Sequence, residues 1–183
     1  MGEALFNELL RQIPMRPITV QFHDGTGSRF SKANRTITLS NTGDASHLFH
    51  EMLHAVQDTQ LSVADWNNSA MNREIEAFFA HYLYARSQAW FQPGNFWHDF
   101  FRIRYAGQSI ANLVHYVGNR GRILGHVTNE RLHQTIRYNT PYAAGLEQQL
   151  RTISAAYRAM SFNDQRRGDQ NFTNLQRISQ NCP

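Results

Sequence analysis

The feature that most constrains the fold is the run of residues 50–54, which reads His-Glu-Met-Leu-His. On an α-helix, positions i and i+4 lie one turn apart on the same face, so His50 and His54 share a face with Glu51 beside them. The flanking residues are strongly apolar, and they predict that this helix is buried. They are Leu48, Phe49, Met52, Leu53, Ala55 and Val56. Two imidazoles and a carboxylate on a buried helix need polar partners.

A metal ion would supply those partners. Two imidazoles one turn apart can bind one Zn²⁺, and a carboxylate that lies beside the metal without ligating it can take a proton from water. Random placement of the His and Glu residues of this chain gives roughly 0.02 chance occurrences of the pattern. We therefore predict Zn²⁺ as cofactor, His50 and His54 as ligands and Glu51 as general base. The alternative is a solvated helix that carries two His by chance.

A third protein ligand should come from a second element that packs on the motif helix, because catalytic zinc usually takes three protein ligands. Residues 72–83 read as a second helix and offer Glu74, Glu76 and His81. His81 lies two turns after Glu74 on the same face. It is a candidate for a hydrogen bond behind the ligands or a contact to the transition state, and equally for a packed core histidine.

This arrangement resembles the gluzincin group of metallopeptidases, in which H-E-x-x-H is followed by a second helix that offers a Glu. Several of those families place an Ala three residues after that Glu. Glu74 with Ala77 fits this spacing, whereas Glu76 has Phe79 there. The resemblance covers residues 18–85 and implies Glu74 as the third ligand. Glu76 stays open as an alternative ligand, as an acceptor behind the ligands or as a solvated charge.

The sequence departs from that group at one position. Many gluzincins carry Asp or Asn four residues after the ligand Glu, where it can orient a His ligand, and here that position is Phe78. Asp58 follows His54 by one turn and could take over this task. The alternative for Asp58 is a solvated surface charge.

The whole pattern predicts an α+β fold that is mostly helical and zincin-like, with a small β-sheet before the motif helix. Residues 1–183 are predicted to form one domain, with a metal-site core at 18–90 and a helical part with a polar tail at 91–183. Alternating residues predict strands at 18–22 and 36–40. Asp44 or Ser46 is predicted to cap the motif helix. Further helices are expected at 3–13, 70–90, 107–117, 141–160 and 172–178, with a connection at 65–69 and a mostly buried aromatic cluster at 96–105.

The strand at 36–40 has two interpretations. The edge of a zincin sheet next to the cleft commonly binds extended peptide by strand addition, and this strand is the candidate. The alternative is an ordinary structural strand. In the N-terminal helix, Leu5, Leu9 and Leu10 are predicted to face inward.

Composition excludes several classes of protein. The net charge is +4, with Lys32 as the single lysine and no dense basic face, so a nucleic-acid reader is not expected. No apolar stretch reaches 18 residues, so no membrane span is expected.

Cys182 is the single cysteine, so it can form neither an intrachain disulfide nor a Cys-rich zinc site. The N-terminus lacks a signal-peptide pattern, which predicts a cytoplasmic location, secretion by a signal-independent route, or a domain that belongs to a larger protein.

The function predicted from these observations is a zinc-dependent endopeptidase with a protein or peptide substrate. Candidates for the group that stabilises the oxyanion are His115, His126, His133, Tyr138 and Tyr142. One alternative is a toxin-type effector protease that acts on a host or competitor protein and is controlled by an inhibitor or immunity protein. The scarcity of lysine fits that alternative, because lysine is the target of ubiquitination. The other is a non-catalytic zinc-binding interaction module.

Overall fold

The structure is a computed structural model. It describes residues 6–7, 9–11, 17–41, 43–86, 88–102, 147, 150–152 and 155–160. After helical residues at 6–7 and 9–11 come three strands: β1 (Thr19–His23), β2 (Arg29–Ser31) and β3 (Thr36–Ser40). Among the described residues, five helices with defined bounds follow: α1 (Ala45–Gln60), α2 (Val63–Asn68), α3 (Ala70–Arg86), α4 (Phe96–Arg102) and α5 (Ala155–Arg158). The described part is therefore α+β and mostly helical, as predicted.

The sheet has the order β1-β3-β2, so β3 lies in the centre. β3 pairs with β1 in parallel and with β2 in antiparallel register. The prediction that residues 36–40 offer a free edge for a peptide is wrong, because both edges of β3 are already hydrogen-bonded. All five residues of β3 are buried, and its Thr and Ser side chains lie inside together with Ile37 and Leu39.

A capping box starts α1. The Asp44 side chain accepts hydrogen bonds from the backbone N–H groups of Ser46 (2.9 Å) and His47 (3.1 Å), while the His47 side chain accepts from the backbone N–H of Asp44. This geometry confirms Asp44 as the cap. The other Asp44 oxygen accepts from the indole N–H of Trp97 at 3.1 Å, which ties α4 to the start of α1.

Helix α1 lies between the sheet and α3 and contacts both. Residues 49–58 are all buried, which confirms the predicted burial of the motif helix. α3 is buried along most of its length, and Ala77 and Ala80 have no exposed surface. Small side chains at these positions let neighbouring elements approach closely. α3 ends at Arg86, four residues before the predicted end.

Other predicted elements differ in detail. The predicted connection at 65–69 is largely helix α2, which begins after the cap Ser62 because the Ser62 hydroxyl accepts from the backbone N–H of Asp65. Leu9 is buried as predicted, whereas Leu10 is exposed. In the aromatic cluster, Trp97 and Phe101 are buried core residues, but Phe96 is 66% exposed.

Parts of two further predicted helices, at 3–13 and 141–160, fall on described residues. Residues 6–7 and 9–11 are helical, as are 147, 150–152 and 155–158 within the predicted helix at 141–160. The predicted helices at 107–117 and 172–178, together with Leu5 and Cys182, lie outside the described residues. Within the described part, no helix combines the length and apolar character that a membrane crossing requires.

Replacing the cap residue tests how α1 is held. We expect Asp44→Ala to lower the free energy of unfolding by about 1–2 kcal/mol, because the first-turn N–H groups of α1 lose their acceptor. Asp44→Asn should retain most of the stability, since an amide oxygen can accept the same hydrogen bonds. Urea denaturation followed by circular dichroism measures both variants. Equal stability of Asp44→Ala and the wild type would show that this cap does not stabilise α1.

Candidate metal centre

Three of the predicted metal ligands converge. His50 and His54 project from α1, and Glu74 projects from α3, so that one ligand atom of each lies within 4.8 Å of the others. The two imidazole Nε2 atoms are 3.1 Å apart. Glu74 Oε1 is 3.2 Å from His54 Nε2, and Glu74 Oε2 is 3.4 Å from His50 Nε2. The packing of α1 against α3 therefore builds a group that can hold a metal ion.

The spacing of these atoms fits a small transition-metal ion. Tetrahedral zinc with bonds of about 2.0–2.1 Å separates its ligand atoms by roughly 3.3 Å. The separation of 3.1 Å between the two imidazole Nε2 atoms is close to this value, and each Nε2 has a different oxygen of Glu74 nearby, at 3.2 Å from His54 and 3.4 Å from His50. Two imidazole nitrogens and one carboxylate oxygen are also a donor set that zinc accepts in catalytic sites. The residues present thus fit the predicted ion in both geometry and chemistry.

The electrostatics of the group favour a positive charge between the ligands. Burial works to raise the pKa of Glu74, but the neighbouring His54 and His50 outweigh it and hold that pKa well below its usual value. Burial works to lower the pKa of His54, but Glu74 and Glu51 outweigh it and raise that pKa. Without a metal ion, these shifts favour a proton on His54 beside the Glu74 carboxylate. A metal cation can replace that proton.

Gln57 holds His54 from behind. Its side-chain oxygen is 2.7 Å from His54 Nδ1, and its amide donates to Glu76 Oε2 at 2.8 Å and to the backbone carbonyl of Arg73 at 3.1 Å. These amide bonds fix which side of Gln57 faces the imidazole, so His54 Nδ1 must donate. Sequence reasoning missed Gln57. The available signal was a polar residue one turn after a ligand, on a helix predicted to be buried.

Glu76 and Asp58 have roles that the sequence left open. Glu76 is buried and accepts a hydrogen bond from Gln57. This confirms Glu76 as an acceptor behind the ligands and excludes the alternative that it is a solvated charge.

Asp58 does not orient His54, because Gln57 is the partner of His54 Nδ1. Nor is Asp58 solvated. It is buried in ion pairs with Lys32 (3.0 Å) and with Arg35, which join the end of α1 to the turn between β2 and β3.

His50 has a different environment from His54. Phe78 occupies the position where many gluzincins have Asp or Asn, and its ring lies edge-to-face at 4.6 Å from the His50 ring. Within the described part of the chain, His50 Nδ1 is buried and has no hydrogen-bond partner. His81 is fully buried with its ring 5.8 Å from that of His50, and neither of its nitrogens has a partner among the described residues.

Two further groups face the centre. Glu51 is buried, and its negative charge helps to raise the pKa of His54. Glu51 is not one of the three described residues, His50, His54 and Glu74, that form the ligand group. Tyr157 on α5 has its pKa raised by burial first and then by the charges of Glu74 and Glu51. The sequence placed Tyr157 only within the predicted helix at 141–160, and its approach to the centre could not be foreseen. The five predicted oxyanion candidates, His115, His126, His133, Tyr138 and Tyr142, lie outside the described residues.

Comparison with known proteins adds no relative. No protein-family model, no curated protein and no solved structure matches this chain. The resemblance to gluzincins therefore rests on the motif at residues 50–54, the spacing of Glu74 and Ala77, and the convergence of the three ligand atoms.

The raised pKa of His54 predicts how metal affinity depends on pH. His54 must lose its proton before Nε2 can bind a metal, so binding releases a proton wherever the free protein is protonated. The pKa of His54 lies above its usual 6.5. We therefore expect zinc affinity to keep rising with pH above 6.5. Calorimetric titration at several pH values, in buffers of different ionisation enthalpy, measures affinity and proton release. Affinity that is constant above pH 6.5 would contradict the prediction.

The contact between Gln57 and His54 predicts a second result. We expect Gln57→Leu to weaken zinc binding by roughly 10- to 100-fold, because His54 loses the acceptor that orients its ring. The matched control is Gln60→Leu, an exposed Gln on the same helix. Chelator competition measures zinc affinity, and circular dichroism verifies folding. Equal affinities of the two variants would show that Gln57 does not support the metal centre.

Proposed function

We propose that this protein is a zinc-dependent endopeptidase that hydrolyses peptide bonds in a protein or peptide substrate. The observation that carries the proposal is the convergence of His50, His54 and Glu74 with a fourth group, Glu51, buried beside them. A site that only holds metal needs ligands, whereas a hydrolytic site also needs a base. Glu51 supplies that base.

The chain would divide the reaction among its residues. His50, His54 and Glu74 would hold the zinc, which when bound polarises a carbonyl group and acidifies water. Glu51 would accept a proton from the attacking water and pass it to the leaving amine, as a general base and then a general acid. Tyr157 is partly buried and its pKa is raised, so its phenol keeps its proton and is a candidate donor to the developing oxyanion.

The number of ligands supports an enzyme over a non-catalytic zinc-binding module. Structural zinc sites are almost always closed by four protein ligands, whereas catalytic sites use three and leave one position for water or substrate. Within the described ranges, the group contains three ligands and no fourth. His81 is close but is not a member of the group.

A toxin-type effector protease is a second candidate, with a host or competitor protein as substrate and an inhibitor or immunity protein as partner. One observation favours it. Lys32 is the only lysine of the chain, and its ammonium group lies 3.0 Å from Asp58 and 4.7 Å from the centre of the Trp66 ring. The single side-chain target for ubiquitin is thus held against the protein surface. Toxicity in host cells that depends on Glu51 would distinguish this candidate from a housekeeping peptidase.

Replacing the base tests the proposed function. We expect Glu51→Gln to bind one zinc per chain like the wild type and to lose roughly 10²- to 10⁴-fold in the rate of peptide hydrolysis, because the amide cannot accept the proton. Elemental analysis measures zinc, and mass spectrometry of a degenerate peptide library measures cleavage.

The controls separate metal binding from catalysis. Glu74→Ala should lose the zinc itself, whereas Asp99→Asn, at an exposed carboxylate on α4, should keep both zinc and activity. A zinc-loaded wild type that cleaves nothing in the library would refute the endopeptidase. Undiminished cleavage by Glu51→Gln would refute the role of Glu51.

A further inference from the structure

Most of the unpartnered buried polar atoms of the described residues belong to three side chains on α1 and α3. Five buried side-chain atoms have no hydrogen-bond partner, and four of them belong to Ser46, His50 and His81. Ser46 lies one turn before His50 on the same face of α1. His81 lies on α3, with its ring 5.8 Å from the His50 ring. Buried polar groups are almost always satisfied by protein or water, so such a cluster needs a common partner.

We propose that His81 positions the zinc ligand His50 through one buried water molecule, which Ser46 also binds. The proposal rests on the metal centre of the proposed function. It assigns to His81 the task that Gln57 performs for His54. It also explains how His50 is oriented although Phe78 stands where an acceptor would otherwise be found.

The distances fit one bridging water. Two hydrogen bonds of about 2.9 Å that meet at a water oxygen separate the outer atoms by roughly 4.7 Å. Ring centres 5.8 Å apart, with an angle of 73° between the ring planes, allow such a separation between nitrogens. No direct hydrogen bond joins the two rings, because His50 Nδ1 and both nitrogens of His81 have no partner within the described part of the chain. A buried water typically makes about three hydrogen bonds. His50, His81 and Ser46 each offer an unpartnered buried atom for such a bond.

The donors and acceptors also balance. When Nε2 of His50 faces the metal, Nδ1 carries a hydrogen and must donate. A neutral imidazole at His81 has one N–H donor and one acceptor nitrogen. The water accepts from His50 Nδ1 and donates to His81. Its remaining hydrogen and lone pair can serve the Ser46 hydroxyl.

The surroundings of His81 hold it in place. Its ring is packed edge-to-face against Trp97 at 4.1 Å and Phe101 at 5.2 Å. These rings fill the far side of His81 and offer no strong acceptor, although an N–H group can point at an aromatic face. The same contacts would suit a purely structural histidine. The experiment must therefore separate packing from hydrogen bonding.

His81→Phe keeps an aromatic ring and removes both nitrogens. We expect its zinc affinity, measured by chelator competition on the full chain, to fall by roughly 10- to 100-fold, while the thermal midpoint of the metal-free protein does not fall. His81→Asn or His81→Gln should restore most of the affinity, because an amide oxygen can accept from the water. The matched control is His98→Phe, a buried histidine on α4 packed against Phe91, which should leave zinc binding unchanged.

A spectroscopic signal identifies the ligand concerned. In the Co²⁺-substituted protein, the N–H proton of each ligand imidazole gives a shifted, exchangeable NMR signal. His81→Phe should speed the solvent exchange of the His50 signal and leave the His54 signal unchanged, whereas Gln57→Leu should do the reverse. If His81→Phe does not fold, Ser46→Ala serves instead and should also speed the His50 exchange.

Each outcome decides one hypothesis. Two results would overturn the role of His81. The first is that His81→Phe binds zinc as tightly as the wild type. The second is that it binds zinc more weakly while the exchange of the His50 signal is unchanged and neither amide variant recovers affinity. In either case the metal centre itself stands. A wild type that binds no metal refutes the centre and the proposed function together. Metal binding without peptide cleavage refutes the endopeptidase alone.

Discussion

The structure depends on one constraint, the burial of the Glu74 carboxylate against two imidazoles where α3 packs on α1. A charge in that position is unfavourable unless a cation compensates it. His54 can supply the compensation by holding a proton, which is why its pKa rises and that of Glu74 falls. The same attraction that stabilises the proton also prepares the site for a metal ion. The capping box at Asp44 and the ion pairs of Asp58 fix the two ends of α1, so that this helix presents its imidazoles in one orientation.

The two imidazoles are supported in different ways. His54 is held by Gln57, which is in turn fixed by Glu76 and by a backbone carbonyl of α3. His50 is surrounded by the rings of Phe78 and His81 instead. Hydrogen bonds thus hold His54 in place, whereas His50 is held by aromatic contacts. Two ligands on the same helix face can therefore differ in basicity and in freedom of rotation.

The sequence predicted the features that depend on local spacing. His50, Glu51 and His54 follow from helical periodicity, and the cap at Asp44 follows from the residues beside it. Glu74 required the resemblance to a known group, because nothing in the spacing alone separates it from Glu76. The remaining features depend on contacts between distant segments. Gln57 acquires its role only when Glu76 and the Arg73 carbonyl lie opposite it. The central place of β3 depends on which strands pair, which an alternating pattern does not encode. Tyr157 reaches the centre from a segment far along the chain.

The origin of the ligands on two helices has a mechanical consequence. His54 and Glu74 are separated by the end of α1, by α2 and by the start of α3. An ion bound by both would close this segment into a loop, in the way that a disulfide cross-links a chain. The two helices could then separate only after a bond to the ion has broken. A bound ion would therefore restrain the opening of the core.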